Sequence, residues 1–167
     1  MKRRLGLVSL VAMLLFPAGA ASVRADDTWA ARQTLIGITG VSITVEDLSD
    51  ASKKMNLAKE DIQTDVELKL RLAGIRVLTE QEGLKLPGNP WLYVLVNVSQ
   101  DGRAASVEVE LYQDAVLTRR GPTWTYSICT WSLSGVMSNP SGPGVRDFTE
   151  EVVDRFLNAW LSVNPKK

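Results

Sequence analysis

Hydrophobic and polar residues alternate one by one in the segment that follows the first 35 residues. Val41, Ile43 and Val45 are separated by single polar residues. A period of two is typical of a strand that buries one face. The pattern predicts a first strand over residues 35–47, with a bulge or bend near Gly40, because glycine inside a strand often marks one.

The spacing of hydrophobic residues changes to three and four after about residue 56. The residues that share one helical face are Ile62, Val66, Leu70 and Ala73. Gly74 stands where the left-handed cap at the end of a helix belongs. Leu68 and Leu72 form a second apolar arc, so we expect this first helix to be contacted on two sides. A short strand is predicted over residues 75–78.

Three further strands are predicted between residues 91 and 136. Residues 91–99 alternate but are largely apolar on both faces, which indicates a central strand. Asp101-Gly102 predicts a hairpin turn, and the returning strand, residues 105–112, has one apolar and one polar face. Arg119-Arg120-Gly121-Pro122 then turns the chain into a last strand over roughly residues 123–136.

The end of the chain carries the clearest helical pattern. Its apolar residues recur at spacings of three and four: Phe148, Val152, Phe156, Ala159, Trp160 and Val163. They predict an amphipathic helix that follows a loop over residues 138–144 and ends near Asn164-Pro165. Together the elements predict an α+β fold. We expect a single two-layer sandwich with a mixed, mostly antiparallel sheet of about five strands and two helices on one face, in the order β-α-β-β-β-β-α.

The N-terminal residues have the three parts of a secretory leader. Lys2, Arg3 and Arg4 precede an uncharged apolar run over residues 5–16, and small residues follow the run. The run is 12 residues long, whereas a membrane-spanning helix needs roughly 20. The leader therefore predicts export to the periplasm or the medium.

Two cleavage sites fit the leader. We expect cleavage after Ala25, in Val23-Arg24-Ala25, and Ala18-Gly19-Ala20 is a second site. An uncleaved amphipathic anchor is the alternative. Cleavage after Ala25 leaves residues 26–167 as a single α+β domain without a stable membrane anchor.

The charge of the mature chain argues against nucleic acid as a partner. The whole chain has 19 basic and 19 acidic residues. The leader contains four of the basic residues and none of the acidic ones, so the net charge after cleavage is 15 − 19 = −4. A mildly acidic domain without a basic run has no electrostatic footprint for a phosphate backbone.

The composition excludes most familiar catalytic machinery. The chain has no histidine and one cysteine, which rules out a Ser-His-Asp triad, a Cys-His pair and a histidine-ligated metal. No catalytic residue, cofactor or metal site is predicted. Cys129 cannot form a disulfide within the chain, and we interpret it as a buried thiol because free cysteine usually behaves as a small hydrophobe.

Glu108 and Glu110 are the one carboxylate pair that strand geometry places together. They lie two apart on a predicted strand, so they point the same way. Such a pair suits acid-base chemistry or a hard metal ion. A solvated strand face explains the same pattern, and two carboxylates are too few for a dedicated cation site.

An aromatic set is the strongest candidate for a binding surface. Strand alternation places its members on the sheet face away from the helices: Trp91, Tyr93, Tyr112, Trp124 and Tyr126. Arg119 and Arg120 lie at a nearby hairpin tip. Trp, Tyr and Arg supply much of the energy at protein interfaces, and aromatic rings also stack on sugars. The alternative is ordinary cross-strand packing, closed over by the N-terminal segment around Trp29. The phase of the last strand leaves open whether Trp124 and Tyr126 face the helices instead.

Three segments resemble a family of uncharacterised exported bacterial proteins. They are residues 64–75 (TDVELKLRLAGI), residues 91–94 (WLYV) and residues 156–165 (FLNAWLSVNP). The resemblance covers nearly all of the mature chain and implies a periplasmic location, but it implies no activity. The order of elements is also similar to small α/β domains of envelope assembly factors, such as the N-terminal domain of the Tol-Pal translocation protein and curli-secretion proteins.

These observations favour a non-catalytic binding or assembly module of the bacterial envelope. Its expected partner is an envelope protein or glycan, engaged through the aromatic sheet face or a strand edge. A hydrolase of envelope material that uses carboxylates, and a structural homo-oligomer joined by edge strands, are the two alternatives.

Overall fold

A computed structural model describes residues 22–25, 27–116, 119 and 125–165, and it describes only the backbone of residues 22–25, 125 and 126. Six strands form one sheet. They are β1 (Ser22–Ala25), β2 (Gly40–Val45), β3 (Arg76–Leu78), β4 (Trp91–Val98), β5 (Ala104–Val116) and β6 (Thr125–Ser138). Their order across the sheet is β1-β6-β5-β4-β2-β3. β2 runs parallel to β3 and β4, and the remaining neighbours are antiparallel.

Two of the five described helices, α3 (Lys59–Ala73) and α5 (Gly142–Val163), are long and cover one face of this sheet. The short helices are α1 (Trp29–Gln33), α2 (Asp50–Lys54) and α4 (Glu80–Gly83). α3 packs on β2 and β3, and α5 packs on β5 and β6. Among the described residues, no helix combines the length and the apolar character that crossing a membrane requires.

The core lies between the sheet and these two helices. Alternate residues of β4 and β5 point into it, including Val94 and Val107, which are fully buried. Trp131 of β6 meets Phe156 of α5 edge to face, with ring centroids 5.1 Å apart. Burial of such side chains is worth roughly 1.5–3 kcal/mol each, so this layer supplies most of the stability.

Salt bridges join α3 to α5 above the core. The Lys69 ammonium lies 3.2 Å from Glu150 and 2.9 Å from Asp154, and Arg146 pairs with Asp65. Residue numbers rise together along the two helices in these pairs, so α3 and α5 run parallel. The pairs are partly exposed, so we expect them to orient the helices more than to stabilise them.

The end of α5 holds the loop that precedes β2. The Trp160 Nε1–H donates to the Ile38 carbonyl at 2.9 Å, and the Asn164 amide donates to the Leu35 carbonyl at 2.9 Å. The Gly37 N–H donates back to Asn164 Oδ1 at 2.8 Å. Gly37 has φ +79°, a conformation that glycine adopts without strain.

The segment after β1 is fastened to the edge of β6 by Asp27. Arg32 donates from Nε and Nη2 to the two Asp27 carboxylate oxygens, at 2.8 and 2.5 Å, and Trp131 Nε1–H donates to Asp27 Oδ1 at 3.0 Å. These bonds, the Arg32 bond foremost, lower the pKa of Asp27 below its ordinary value. The charged carboxylate therefore ties the N-terminal segment to the sheet.

The predicted fold class and order of elements are confirmed. The strands and long helices β2-α3-β3-β4-β5-β6-α5 follow the predicted order, and both long helices lie on one face. Two additions were not predicted: β1 makes a sixth strand, and α1, α2 and α4 are short helices in the connections.

Several element boundaries differ from the prediction. The first strand begins at Gly40 rather than residue 35, because residues 35–38 form the loop that α5 holds. No bulge occurs at Gly40. Because Gly40 has no side chain, β3 can approach closely: a Cβ at this position would lie 2.9 Å from the Arg76 carbonyl oxygen. The register shift lies instead between Leu111 and Tyr112, opposite Thr130.

Two predictions about the helices are wrong. The terminal helix begins at Gly142, inside the predicted loop, because Ser141 caps it by accepting a hydrogen bond from Gly144 N–H. The first helix is buried on one side only. Leu68 and Leu72 are 53% and 74% exposed, because α5 lies against the Asp65–Lys69 side of α3 and leaves this arc outside.

Candidate functional site

The sheet face opposite the helices carries the candidate site. Strand register places Ser42, Trp91 and Tyr112 in one row across β2, β4 and β5. Thr44, Tyr93 and Glu110 form the next row. Among the described residues, α3 and α5 both lie on the other side of the sheet. We call this surface the open sheet face.

Three aromatic rings meet in these rows. Trp91 and Tyr112 stack with ring centroids 4.5 Å apart and planes 15° apart. Tyr93 meets Trp91 edge to face at 6.1 Å and Tyr112 at 6.4 Å. All three are half-buried. Each such pair adds about 0.5–1.5 kcal/mol beyond area burial, so the three rings, here called the aromatic cluster, are held as one unit.

Hydrogen bonds fix the polar end of each ring. The Tyr93 hydroxyl donates to Glu46 Oε2 at 2.8 Å, and the Tyr112 hydroxyl donates to Glu110 Oε2 at 2.9 Å. Trp91 Nε1–H donates to Ser127 Oγ at 3.2 Å. The rings therefore have defined orientations, which lowers the entropy cost of using them to bind a partner.

Three carboxylates flank the aromatic cluster: Glu46, Glu108 and Glu110. None of them forms a salt bridge with a described lysine or arginine. Burial and, secondly, the charge of Glu110 raise the pKa of Glu108. We call these residues the acidic group, and their charge makes this part of the face negative.

The acidic group also acts on the phenols. The hydrogen bond to Glu110 is the main cause that raises the pKa of Tyr112 to about 12, with burial second. The bond to Glu46 raises the pKa of Tyr93 in the same way. Both hydroxyls are therefore neutral donors at physiological pH, and neither is a base.

Cys129 lies on this face opposite Tyr112 in the register. It is exposed, so the interpretation as a buried thiol is wrong: the bulge at Thr130 places Cys129 on the open side of β6. Its Sγ–H donates to the Trp131 carbonyl at 3.3 Å. Desolvation, followed by the charge of Glu110, raises the pKa of the thiol to about 11. A thiol with this pKa is a poor nucleophile.

A groove of about 880 Å³ adjoins the aromatic cluster. It runs along the C-terminal part of β2, beyond the last residue of β3, toward α3 and α4. Trp91, Tyr93 and Glu46 line it on the sheet side, and Glu67 and Arg71 line it on the α3 side. Glu67 and Arg71 bond each other at 2.7 Å, so Arg71 does not neutralise Glu46.

The structure places the other predicted site residues apart from this cluster or does not describe them. Arg119 is exposed. Trp124 and Arg120 lie outside the described residues, as does the side chain of Tyr126. Trp29 does not close over the open sheet face, because α1 packs on α5 and β6 and leaves Trp29 78% exposed.

Glu108 and Glu110 share the open sheet face, as predicted from their spacing. Glu110 is engaged by the Tyr112 hydroxyl, and the groove is lined by Glu46 rather than by this pair. Among the described residues, no three histidine, cysteine or carboxylate side chains are close enough to hold a metal ion.

Sequence reasoning missed Glu46. The residue follows β2, and only the parallel pairing of β2 with β4 brings it to Tyr93. Strand order was not predicted, so no local pattern connected two residues that are 47 positions apart.

Two solved structures of PelC are among the distant structural neighbours of this chain. One is a single-substitution variant of the PelC dodecamer from Paraburkholderia phytofirmans, which is 16% identical over 84% of this chain and 98% of that chain, with a TM-score of 0.49. The other is the PelC dodecamer from the same organism, 15% identical over 83% and 97% of the two chains, with a TM-score of 0.45. No protein-family model and no curated protein matches the chain.

Proposed function

We propose that this chain is an exported, non-catalytic binding or assembly module of the bacterial envelope that engages a partner through its open sheet face. The observation that carries the proposal is the aromatic cluster beside the acidic group, on a face that neither long helix covers. The leader sequence, with its basic, apolar and small-residue parts, supports export.

Binding at this surface would cost little side-chain entropy. Trp and Tyr provide large apolar area with few rotatable bonds, and their hydrogen bonds already fix the rings. A partner that covers the cluster therefore gains apolar burial without ordering these side chains. The three aromatic residues are incompletely buried, so part of their ring area is left for a partner to bury.

The acidic group indicates the chemistry of the partner. None of its three carboxylates forms a salt bridge with a described lysine or arginine, and the Lys59 ammonium near Glu46 is paired with Asp47. A partner that presents lysine or arginine would pair with them and would also place cations near the aromatic rings. We therefore favour an envelope protein with a basic patch over a neutral glycan.

Crosslinking in intact cells of the native host, followed by purification and mass spectrometry, tests the proposal. The test variant is Trp91→Ala/Tyr93→Ala, and the matched control is Leu68→Gln/Leu72→Gln on the exposed arc of α3. Each variant must retain the far-UV spectrum and cooperative unfolding of the parent. We expect the first variant to lose a partner that the second retains, and equal recovery in both would contradict the proposal.

Homo-oligomerisation is a second candidate, favoured by the exposed arc of α3. Leu68 and Leu72 lie one turn apart and are 53% and 74% exposed, and exposed apolar side chains that form a contiguous patch mark interaction sites. A concentration-dependent mass that Leu68→Gln/Leu72→Gln abolishes would support this candidate. A constant monomeric mass would exclude it.

A carboxylate hydrolase has one observation in its favour. Glu108 has a raised pKa, as a general acid needs. The second carboxylate that such chemistry requires, Glu110, is already bonded to the Tyr112 hydroxyl. Turnover of envelope glycans that Glu108→Gln abolishes would establish the hydrolase and displace the binding module.

A further inference from the structure

The edge strand β1 lies between the two cleavage sites of the leader. Its residues, Ser22–Ala25, pair antiparallel with Val136–Leu133 of β6. Cleavage after Ala20 would keep all four residues, whereas cleavage after Ala25 would remove the whole strand. The choice of site therefore decides whether the sheet that the structure describes keeps five strands or six in the mature chain.

β1, Asp27 and Thr34 together line the outer edge of β6. Ala25 pairs with Leu133, and two residues further on Asp27 bonds the Trp131 indole at 3.0 Å, which continues the same register. These contacts then pass to α1, where the Thr34 hydroxyl donates to the Thr130 carbonyl at 3.4 Å. Residues 22–25, Asp27 and Thr34 thus contact β6 in turn from residue 136 to residue 130.

These contacts shield the backbone groups at the outer edge of β6 from other chains. β6 is 14 residues long, and an uncovered edge of that length offers unpaired N–H and C=O groups to other chains. Removal of β1 would expose the backbone of residues 133–136 while leaving Asp27 in place. The covered edge also directs binding away from strand addition at β6 and toward the open sheet face.

The cleavage signals themselves differ in quality. Signal cleavage sites have small residues at the first and third positions before the cut. Ala18 and Ala20 supply two small residues immediately after the apolar run ends at Phe16 and Pro17. The site after Ala25 has Val23, a larger β-branched residue, three positions before the cut.

We propose that export processing cuts after Ala20, so that the mature chain begins at Ala21 and keeps β1 as a built-in edge strand. The proposal rests on the export that the proposed function includes, and it replaces the cleavage after Ala25 expected from sequence. It gives residues 21–25 a structural role in the mature protein.

Intact-mass spectrometry of the full-length chain, expressed with its own leader and recovered from the periplasmic fraction, tests the proposal. We expect a mass that begins at Ala21. A mass that begins at Asp26 would lack the five residues from Ala21 to Ala25 and would overturn the proposal. An uncut chain in the periplasmic fraction would also overturn the proposal, whereas absence of the chain from that fraction would overturn export; neither outcome bears on the binding face.

Two matched substitutions separate the sites. Ala20→Phe should abolish the product that begins at Ala21, whereas Ala25→Phe should leave it unchanged. A bulky residue immediately before a cleavage site prevents cleavage at that site only. Loss of processing in Ala25→Phe would overturn the proposal.

Hydrogen exchange tests the structural role separately from the processing. Chains that begin at Ala21 and at Asp26 are compared by the exchange of the edge-facing amides among residues 133–136. We expect exchange to be about tenfold faster or more without β1, because local opening exposes unpaired amides. Equal exchange in both chains would show that β1 does not cover the edge.

Discussion

Gly142, the first residue of α5, offers the sharpest test of how the helices are placed. It is buried against the backbone of Met55, at the end of α2. A Cβ at this position would lie 2.0 Å from the Met55 carbonyl oxygen and 3.2 Å from its carbonyl carbon. The obstacle is backbone rather than a flexible side chain, so the Gly142→Ala variant must move α5 or the α2–α3 connection.

The expected cost follows from this geometry. Ordinary contact begins near 3.4 Å, so the oxygen and the new carbon are about 1.4 Å too close. Overpacking typically costs about 1–3 kcal/mol, and a rigid backbone obstacle places this case at about 3 kcal/mol. Alanine gains about 0.5–1 kcal/mol over glycine in the middle of a helix, and it recovers less than this at Gly142, the first residue of α5. The net loss should be about 2–3 kcal/mol.

Gly144→Ala is the matched control, two residues along the same helix. A Cβ there would lie 3.1 Å from Ser141 Oγ and 3.7 Å from Met137 Cε, and both are side-chain atoms that can yield. We expect Gly144→Ala to be neutral or slightly stabilising. Urea unfolding monitored by tryptophan fluorescence should separate the two variants by roughly 2–3 kcal/mol. Equal stability would refute the close packing of Gly142 on Met55.

Three further outcomes are expected. Asp27→Asn should lower the free energy of unfolding by about 1 kcal/mol at pH 7, because a charged bond to the partly exposed Arg32 is lost. Since the pKa of Asp27 is lowered in the folded state, the difference between variant and parent in urea unfolding should disappear as the pH falls through and below 3.8, and a difference that stays constant with pH would contradict this role of Asp27. Asn164→Ala should cost about 1–3 kcal/mol and speed exchange of the Gly37 amide, which slow exchange would disprove. Cys129, with a pKa of about 11, should react with iodoacetamide at pH 8 about 20-fold more slowly than a free thiol, because a roughly 200-fold smaller thiolate fraction is partly offset by the higher nucleophilicity of a more basic thiolate. A rate equal to that of the free thiol would be incompatible with that pKa.

Local patterns predicted the fold well where one element decides its own structure. The alternation in residues 91–99 gave both the strand and its two faces, and the apolar spacing from Ile62 to Ala73 gave α3 with its glycine cap at Gly74, φ +97°. The same patterns failed where a contact from elsewhere decides. Residues 35–38 have strand-like composition but are held as a loop by Trp160 and Asn164.

The candidate site was predictable only in part for the same reason. Alternation along β4 and β5 is enough to place Trp91, Tyr93 and Tyr112 on one face, and the structure brings these three together. Glu46 required the strand order. Cys129 required the bulge at Thr130, because a single extra residue exchanges the two faces of a strand.

Site-specific photocrosslinking would show which face of the chain contacts a partner. A photoreactive residue replaces Asn97, which is exposed on β4 and lies on the open sheet face, or Leu72 on the exposed arc of α3. We expect a discrete adduct with one envelope protein from position 97, absent from position 72 and lost when Trp91→Ala/Tyr93→Ala is added. An adduct from position 72 alone, or the same adduct from both positions, would contradict binding through the open sheet face.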